Sequence, residues 1–187
     1  MSFFAAVYKR LAYFAINTIL AGTFPPFFVF KRFLLITCGA RIGKNVRIVG
    51  PIYCSGSLVI GDNCWIGKNF TVNGNGSVKI GDDCDIGPEV TFETGGHAIG
   101  NSIRRAGEGQ SFVQSVGRGT WIGGRATFVN DASVGESSVI AACACVTGSL
   151  PANCLAGGVP ARGIAFLSER GEKLKQECSG DVFQVKG

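Results

Sequence analysis

The sequence predicts an all-β solenoid, because apolar side chains recur at every sixth residue over more than half of the chain. The residue after the apolar one is often glycine, and the fourth residue after it is small or β-branched. This period fits neither an amphipathic helix nor a simple alternating strand. It fits a short strand and a tight corner, repeated. The apolar positions are Ile42, Ile48, Ile60, Ile66, Val72, Ile80, Ile86, Phe92, Val116, Ile122, Phe128, Val134, Ile140 and Val146.

Three such units would form one triangular coil of eighteen residues, the spacing that separates Ile42 from Ile60. The apolar residue of each unit points inward, and the small residue fills the remaining core volume. Cys64 and Cys84 occupy this small-residue position. We expect the glycine to relieve backbone strain at the corner. Coils stacked on one another then bury their inward rows continuously.

The six-residue frame breaks twice. Two extra residues fall near Asn73 to Gly76, and the chain leaves the frame in an insertion at 94–115. A long insertion adds nothing to a regular solenoid, and loops on rigid scaffolds are where function concentrates. We therefore expect the functional site at these two breaks.

The predicted solenoid spans residues 38–164, preceded by an apolar segment at 1–37 and followed by a helix and tail at 165–187. We expect that C-terminal helix at Ala165 to Cys178. In the N-terminal segment, the twenty uncharged residues from Leu11 to Phe30 reach the length of a membrane span. Gly22, Pro25 and Pro26 interrupt them, however.

The N-terminal segment is therefore expected to form two short helices that cap the solenoid. Contact of these helices with a membrane interface is an open alternative. A cleaved signal peptide is less consistent with the sequence, because no good small-residue cleavage site follows the apolar stretch.

Composition excludes several classes of protein. A hydrophobic content of 46% with 17% charged residues excludes disorder over most of the chain. The net charge of +5 is too small to indicate a nucleic-acid partner, but it suits an anionic membrane or a phosphate-bearing ligand. The eight cysteines form no CxxC pair, and only one histidine is present. We therefore expect reduced, packing cysteines and no metal site.

Three motifs complete the pattern: "TGGH" ending at His97, "WIG" at Trp121 to Gly123, and "GGVPAR" at Gly157 to Arg162. With the repeat, they resemble the hexapeptide-repeat acyltransferases. The likeness is greatest to sugar O-acetyltransferases of the galactoside and maltose acetyltransferase type and of capsule, O-antigen and colanic acid biosynthesis. This resemblance implies a left-handed parallel β-helix, a homotrimer with active sites between neighbouring subunits, acetyl-CoA lying along the coils, and a carbohydrate acceptor.

His97 is the candidate catalytic base. It matches the family's catalytic histidine and opens the long insertion. A sugar hydroxyl stays protonated at neutral pH, and imidazole can take its proton and return it to the departing thiol. Glu93 is the first candidate for an orienting partner, with Glu89 and Asp85 as alternatives.

Candidates for binding the two substrates come from the resemblance and, for Arg104 and Arg105, from their positive charge in the insertion. Asn73, Trp121, Arg104 and Arg105 are acceptor-binding candidates, although a turn, core packing and solvated charges are the plain alternatives. The coenzyme candidates are Gly124, whose backbone N–H would stabilise the oxyanion, Ala142, Thr147 and Arg162. The family's lysine after the threonine is Gly148 here.

The function expected from the sequence is acetyl-CoA-dependent O-acetylation of a sugar hydroxyl in a surface polysaccharide or its precursor, by direct transfer. The expected location is cytoplasmic and peripheral on the inner face of the plasma membrane. N-acetylation of an amino-sugar nucleotide and a non-catalytic β-helix scaffold are the alternatives. A nucleophilic Cys143 or Cys145 is disfavoured, because no second histidine could activate it.

Overall fold

The computed structural model describes residues 3–174, which form a parallel β-solenoid closed at one end by helices. Three parallel sheets make its faces, and each strand pairs with the equivalent strand of the next coil. The first face contains β1 (Arg41–Ile42), β4 (Ser57–Ile60), β7 (Ser77–Ile80), β12 (Val113–Val116), β15 (Ser133–Val134) and β18 (Ser149–Leu150).

The second face contains β2 (Arg47–Ile48), β5 (Trp65–Ile66), β8 (Asp85–Ile86), β13 (Trp121–Ile122), β16 (Val139–Ile140) and β19 (Cys154–Gly158). The third face contains β3 (Ile52–Cys54), β6 (Phe70–Asn73), β9 (Thr91–Glu93), β14 (Thr127–Val129) and β17 (Cys145–Val146). Outside the faces, β10 (Gly95–Ile99) pairs with β11 (Ala106–Ser111). After the last coil, β20 (Ala161–Leu167) and β21 (Lys173–Leu174) extend the sheet of the second face with antiparallel strands.

The core consists of the apolar positions of the six-residue repeat, so the predicted solenoid is confirmed. Ile42 lies beside Ile60, which lies beside Ile80, and all three are buried. On the third face the rings of Phe70, Phe92 and Phe128 form a column, with centroids 5.6 and 4.4 Å apart. This aromatic column fills the core beneath the two breaks in the frame.

The small-residue positions form a second buried column, made of the residues that directly precede the strands of the second face. Cys64 Sγ donates to Gly81 O at 3.1 Å, Cys84 Sγ to Gly117 O at 3.2 Å, and Thr120 Oγ1 to Gly135 O at 3.1 Å. Each side chain thus bonds to a carbonyl of the next coil. The hydrogen bond with Cys84, together with burial, raises the pKa of the Cys64 thiol. The seven cysteines of the described chain are free thiols. Cys64, Cys84 and Cys154 are buried packing residues, whereas Cys143 is exposed, so the packing role predicted for it is wrong.

The prediction that glycine relieves backbone strain at the corners is wrong for most corners. The left-handed residues lie mostly at the third position after the apolar one, and are often Asn or Asp, as at Asn45 (φ 55°), Asn63 (φ 58°) and Asp83 (φ 56°). Asn and Asp tolerate this conformation better than other side chains. The glycine that follows the apolar residue is needed for close stacking instead: a Cβ on Gly81 would lie 2.7 Å from Arg118 N in the next coil.

Two helices close the first coil. α1 (Phe3–Phe14) continues into a π-helical turn at Ala15–Ile19, and α2 (Pro25–Thr37) follows the Pro-Pro corner. Ile16 and Leu35 are fully buried in the same core as the first strands. No helix among residues 3–174 has the length and apolar character needed to cross a bilayer.

Lys31 fixes α2 to the solenoid. Its fully buried side chain donates to Gly22 O at 2.8 Å and to Val49 O at 2.9 Å. Burial lowers the pKa of Lys31 to about 8. The predicted pair of capping helices is therefore held by both apolar packing and a buried cation.

The predicted C-terminal helix at Ala165 to Cys178 is wrong over its described part. Residues 161–167 form β20, which folds back antiparallel onto β19 and then pairs with β21. Ala161 and Ala165 are buried, while Arg162 and Ile164 are exposed. Pairing with the free edge of the last coil therefore overrides local helix propensity. Residues 175–178 lie outside the described chain.

Candidate functional site

The long insertion is a β-hairpin that leaves the solenoid at the corner after β9. β10 and β11 pair antiparallel, with His97 opposite Gly109, and the chain rejoins the first face at Val113. The corner of the coil below makes room for this exit. Gly74 has φ 93°, and a Cβ on Gly95 would lie 3.1 Å from Gly74 Cα. The extra residues at the first break, near Gly74, thus leave space for the chain to leave the solenoid at Gly95.

Asn73 and Glu93 meet at this corner. They are register partners at the ends of β6 and β9, and Asn73 Nδ2 donates to Glu93 Oε1 at 2.9 Å. The structure therefore joins two candidates that lie twenty residues apart in the sequence. The bond also uses one carboxylate oxygen of Glu93 and fixes the direction of the Asn73 amide.

His97 is exposed on β10, and its ring is oriented by a backbone carbonyl. Nδ1 lies 3.0 Å from Gly107 O on the facing strand. Because a carbonyl only accepts, Nδ1 carries a proton, and in the neutral ring the lone pair is therefore on Nε2. The ring borders an open depression of about 460 Å³, which Gly74, Gly96 and Gln110 also line. Nε2 is therefore free to accept a proton.

The carboxylates proposed from the sequence to orient His97 have other surroundings. Glu93 bonds to Asn73, and Glu89 Oε2 accepts a hydrogen bond from Arg125 Nε at 2.8 Å. The Arg125 hydrogen bond lowers the pKa of Glu89. Asp85 lies on the second face. The recorded partner of His97 is thus the Gly107 carbonyl.

Two buried polar residues at this corner were not predicted from the sequence as part of the site. Thr94 Oγ1 donates to Asn73 O at 2.7 Å and accepts from Gly76 N at 3.1 Å. Gln114 Nε2 donates to Glu93 O at 3.0 Å and to Asn130 O at 2.8 Å. Both side chains are fully buried. Each occupies an inward position two residues from an apolar core residue, a signal that could have revealed them.

Replacing Thr94 with valine is expected to lower both stability and activity. Gly76 N would lose its acceptor and Asn73 O would keep only the bond from Thr94 N, which together cost about 1–3 kcal/mol in the free energy of unfolding. The Asn73 corner would also shift, and we expect kcat/KM to fall about tenfold or more. Chemical denaturation and steady-state kinetics measure the two effects. Thr91→Val, on the outer side of the same face, is the matched control. Equal behaviour of the two variants would contradict this positioning role.

The coenzyme candidates lie along the last coils. Gly124 and Ala142 occupy successive corners between the second and third faces, where Cys143 N donates to Gly124 O at 3.0 Å. Thr147 follows β17 at the opposite edge of the third face, where it lines a small hollow with Arg162. The registers place Thr147 two strands from Glu93, roughly 10 Å away at ordinary strand spacing. The outer surface of the third face therefore joins the coenzyme candidates to the corner of Asn73 and Glu93.

Trp121 and the two hairpin arginines lie away from both the coenzyme candidates and the corner of Asn73 and Glu93. Trp121 lies on the second face with 58% of its side chain exposed, so core packing does not explain it. Arg104 and Arg105 lie at the exposed hairpin tip, where Arg105 Nη1 donates to Gly100 O at 3.3 Å. Within one chain the site residues therefore occupy separate faces. Across residues 3–174, no group of three or more His, Cys, Asp or Glu is placed to hold a metal ion.

A parallel β-solenoid built from a six-residue repeat, with an accessible imidazole on an inserted hairpin, is the architecture expected for a hexapeptide acyltransferase. Comparison with known proteins agrees, although no family model matches the chain. The galactoside O-acetyltransferase of Escherichia coli is 35% identical over 133 residues, covering 70% of this chain and 66% of that protein. The chain spans just under two thirds of the length of the curated relatives it matches.

Solved structures give the same result. A hexapeptide-repeat-containing acetyltransferase of Vibrio cholerae superposes with a TM-score of 0.75 and 25% identity, covering 90% of this chain and 95% of that one. Its complex with acetyl coenzyme A superposes with a TM-score of 0.72 and 25% identity, covering 88% of both chains. In both sequence and fold, the chain is therefore similar to the hexapeptide-repeat acetyltransferases.

Proposed function

We propose that this protein transfers the acetyl group of acetyl-CoA to a sugar hydroxyl, with His97 as the general base. The observation that carries the proposal is the hydrogen bond from His97 Nδ1 to Gly107 O, which leaves Nε2 as a free acceptor at an open depression. Support also comes from the relatives, one named a galactoside O-acetyltransferase and another solved with acetyl coenzyme A.

The proposed reaction is a direct transfer. Nε2 takes the proton of the acceptor hydroxyl while the hydroxyl oxygen attacks the thioester carbon, and the carbonyl oxygen becomes an oxyanion. The backbone N–H of Gly124 donates to that oxyanion. The C–S bond then breaks, and the imidazolium returns its proton to the thiolate. The products are the O-acetyl sugar and free coenzyme A.

The outer surface of the third face at the last coils, which we name the coenzyme groove, would hold the coenzyme. Ala142 and Thr147 lie at its two edges, and Arg162 lines a small hollow with Thr147, where its guanidinium could bind a phosphate of the coenzyme. Gly148 provides no cation at the position where the family has a lysine. Arg162 therefore carries more of the phosphate binding here.

The separation of the site residues favours a site shared by two copies. His97 extends from the corner after the third face, whereas Trp121 lies on the second face of the same chain. We propose a homotrimer in which the hairpin of one copy meets the second face and the coenzyme groove of its neighbour. In that arrangement Trp121 walls the cleft, and Arg104 and Arg105 approach the acceptor.

The acceptor we propose is a surface polysaccharide or its lipid-linked precursor, reached from the cytoplasmic side of the plasma membrane. Residues 1–61 contain seven Lys or Arg and no Asp or Glu. The helices also expose large apolar side chains: Phe3, Phe4, Leu11, Phe14, Phe24, Val29, Phe30 and Phe33. A basic, apolar surface of this kind binds anionic membrane interfaces.

Replacing Phe3, Phe4 and Leu11 together with serine is expected to weaken binding to anionic vesicles by about tenfold or more, because three large apolar side chains no longer enter the interface. Cosedimentation with phosphatidylglycerol vesicles measures the effect, and added salt should weaken binding further. Ile103→Ser, at the exposed hairpin tip, is the control. If the wild-type chain does not sediment with these vesicles, the helices only cap the solenoid.

The function itself is tested by incubating the protein with acetyl-CoA and a panel of sugar acceptors, followed by mass spectrometry. We expect acetylated product that mild base removes, as it removes an ester. Product that resists mild base would be an amide and would identify N-acetylation. Acetyl-CoA consumption without any acceptor product would contradict transfer to a sugar.

A further inference from the structure

A cavity of about 620 Å³ lies between the N-terminal helices and the third face, beside the acceptor corner. α1 contributes Lys9, Arg10 and Tyr13, and the solenoid contributes Tyr53, Ser55 and Asn73. The reaction proposed above makes no use of this cavity. This volume is in the range of pockets that bind small organic molecules.

The cavity combines apolar walls with positive charge. Ala6 and Phe14 add apolar surface beside the two tyrosine rings. Lys9 Nζ lies 5.8 Å from the centroid of the Tyr13 ring, and the lining includes no carboxylate. Burial, reinforced by Cys54, raises the pKa of Tyr13, so its hydroxyl stays a donor. The lining therefore fits an apolar group that carries an anion.

The polar side chains of the lining are largely occupied. Both ends of the Asn17 amide bond to the backbone of Ile52, at 3.0 and 2.9 Å. The Ser55 hydroxyl shares its one hydrogen between Val72 O, at 3.1 Å from Oγ, and Gly74 O, at 2.9 Å. Few polar side chains of the lining remain available to hydrogen-bond a nucleobase, and this favours an aliphatic chain over a nucleotide as the ligand.

The cavity also adjoins the candidate catalytic depression. Asn73 lines the cavity and bonds to Glu93, and the next residues, Gly74 and Asn75, line the depression that contains His97. One ligand could therefore place a sugar near His97 and an attached group beneath α1. On its outer side α1 exposes Phe3, Phe4 and Leu11, which continue the apolar surface away from the solenoid.

We propose that this cavity binds the carrier of the acceptor, a phosphate ester of an aliphatic lipid to which the sugar is attached. Lys9 and Arg10 bind the phosphate, and the tyrosine rings and Phe14 contact the first carbons of the chain. The placement of the sugar rests on the acetyl transfer proposed above, whereas the binding of the carrier does not. The acceptor class is thus a lipid-linked sugar phosphate.

Calorimetric binding of n-octyl phosphate to the full chain, without acetyl-CoA, tests the cavity separately from catalysis. We expect binding at least about tenfold tighter than that of neutral n-octyl glucoside or of inorganic phosphate, because only the first probe satisfies both parts of the cavity. The K9Q/R10Q double variant should lose about tenfold in affinity for octyl phosphate and keep its weak affinity for the glucoside. Ala6→Trp, which fills the cavity, should weaken the binding of octyl phosphate.

Lys79→Gln, on the first face, is the matched charge control and should bind like the wild type. Equal affinity for the charged and neutral octyl probes would overturn the phosphate assignment. Octyl phosphate binding that survives both K9Q/R10Q and Ala6→Trp would overturn the site, since the probe would then coat the exposed helices. Tighter binding of uridine diphosphate than of octyl phosphate would assign a nucleotide carrier instead. Binding as expected, with no acetyl transfer to any sugar, would refute the proposed function and leave the lipid site standing.

Discussion

Replacing His97 with alanine is expected to lower kcat for acetyl transfer by about 10²–10⁴-fold, the usual contribution of a positioned general base. The KM for acetyl-CoA should change little, because His97 lies on the hairpin while Thr147 and Arg162 lie at the last coils. Thermal stability should also be retained, since the imidazole is exposed. Steady-state kinetics with both substrates varied measures these effects.

Gln110→Ala is the control for the His97 variant, because Gln110 lies on the facing strand and lines the same depression. It should keep activity within about threefold of the wild type. A His97→Ala protein with unchanged kcat would contradict the proposed base. The exposed Cys143 would then become the next residue to test as a nucleophile.

Two inactive variants are expected to restore activity when they share one trimer. His97→Ala removes the base, and Ala142→Trp blocks the coenzyme groove at an exposed corner. If each site combines His97 of one copy with Ala142 of the next, every mixed trimer contains one intact site in three. Random assembly of equal amounts gives three mixed trimers in four, so about a quarter of wild-type activity should return.

The complementation is measured by co-expressing the two variants in equal amounts and assaying all of the purified trimers together. If the variants carry different tags and only the mixed trimers are purified, about a third of wild-type activity is expected. A mixture of His97→Ala with His97→Asn is the control and should stay inactive, since none of its sites has a base. Activity of the first mixture no higher than that of its separate components would contradict a site shared between copies.

The period of the sequence predicted the solenoid because each inward side chain packs on its equivalent in the next coil, as Phe92 does on Phe128. A local pattern therefore determined the long-range pairing. The end of the chain followed no such period. Residues 161–167 pair with β19, and that pairing depends on a free sheet edge that local propensity does not reveal.

The candidate site could be predicted as a region but not as a set of contacts. Two breaks in the frame placed Asn73 and His97 there, yet the bond between Asn73 and Glu93 depends on the register created by the first break. The partner of His97 is a backbone carbonyl of the facing strand, which no residue type identifies. The cavity beneath α1 depends on how the helices pack against the third face, which the sequence also left undetermined.

The most direct test of a His97-based transfer is a crystal structure with coenzyme A and a sugar acceptor bound. The reacting hydroxyl is expected about 2.6–3.2 Å from Nε2 of His97, with the coenzyme thiol beside it and the coenzyme lying along Ala142 and Thr147. An acceptor hydroxyl held away from Nε2, or a coenzyme bound outside the groove of the last coils, would contradict the mechanism.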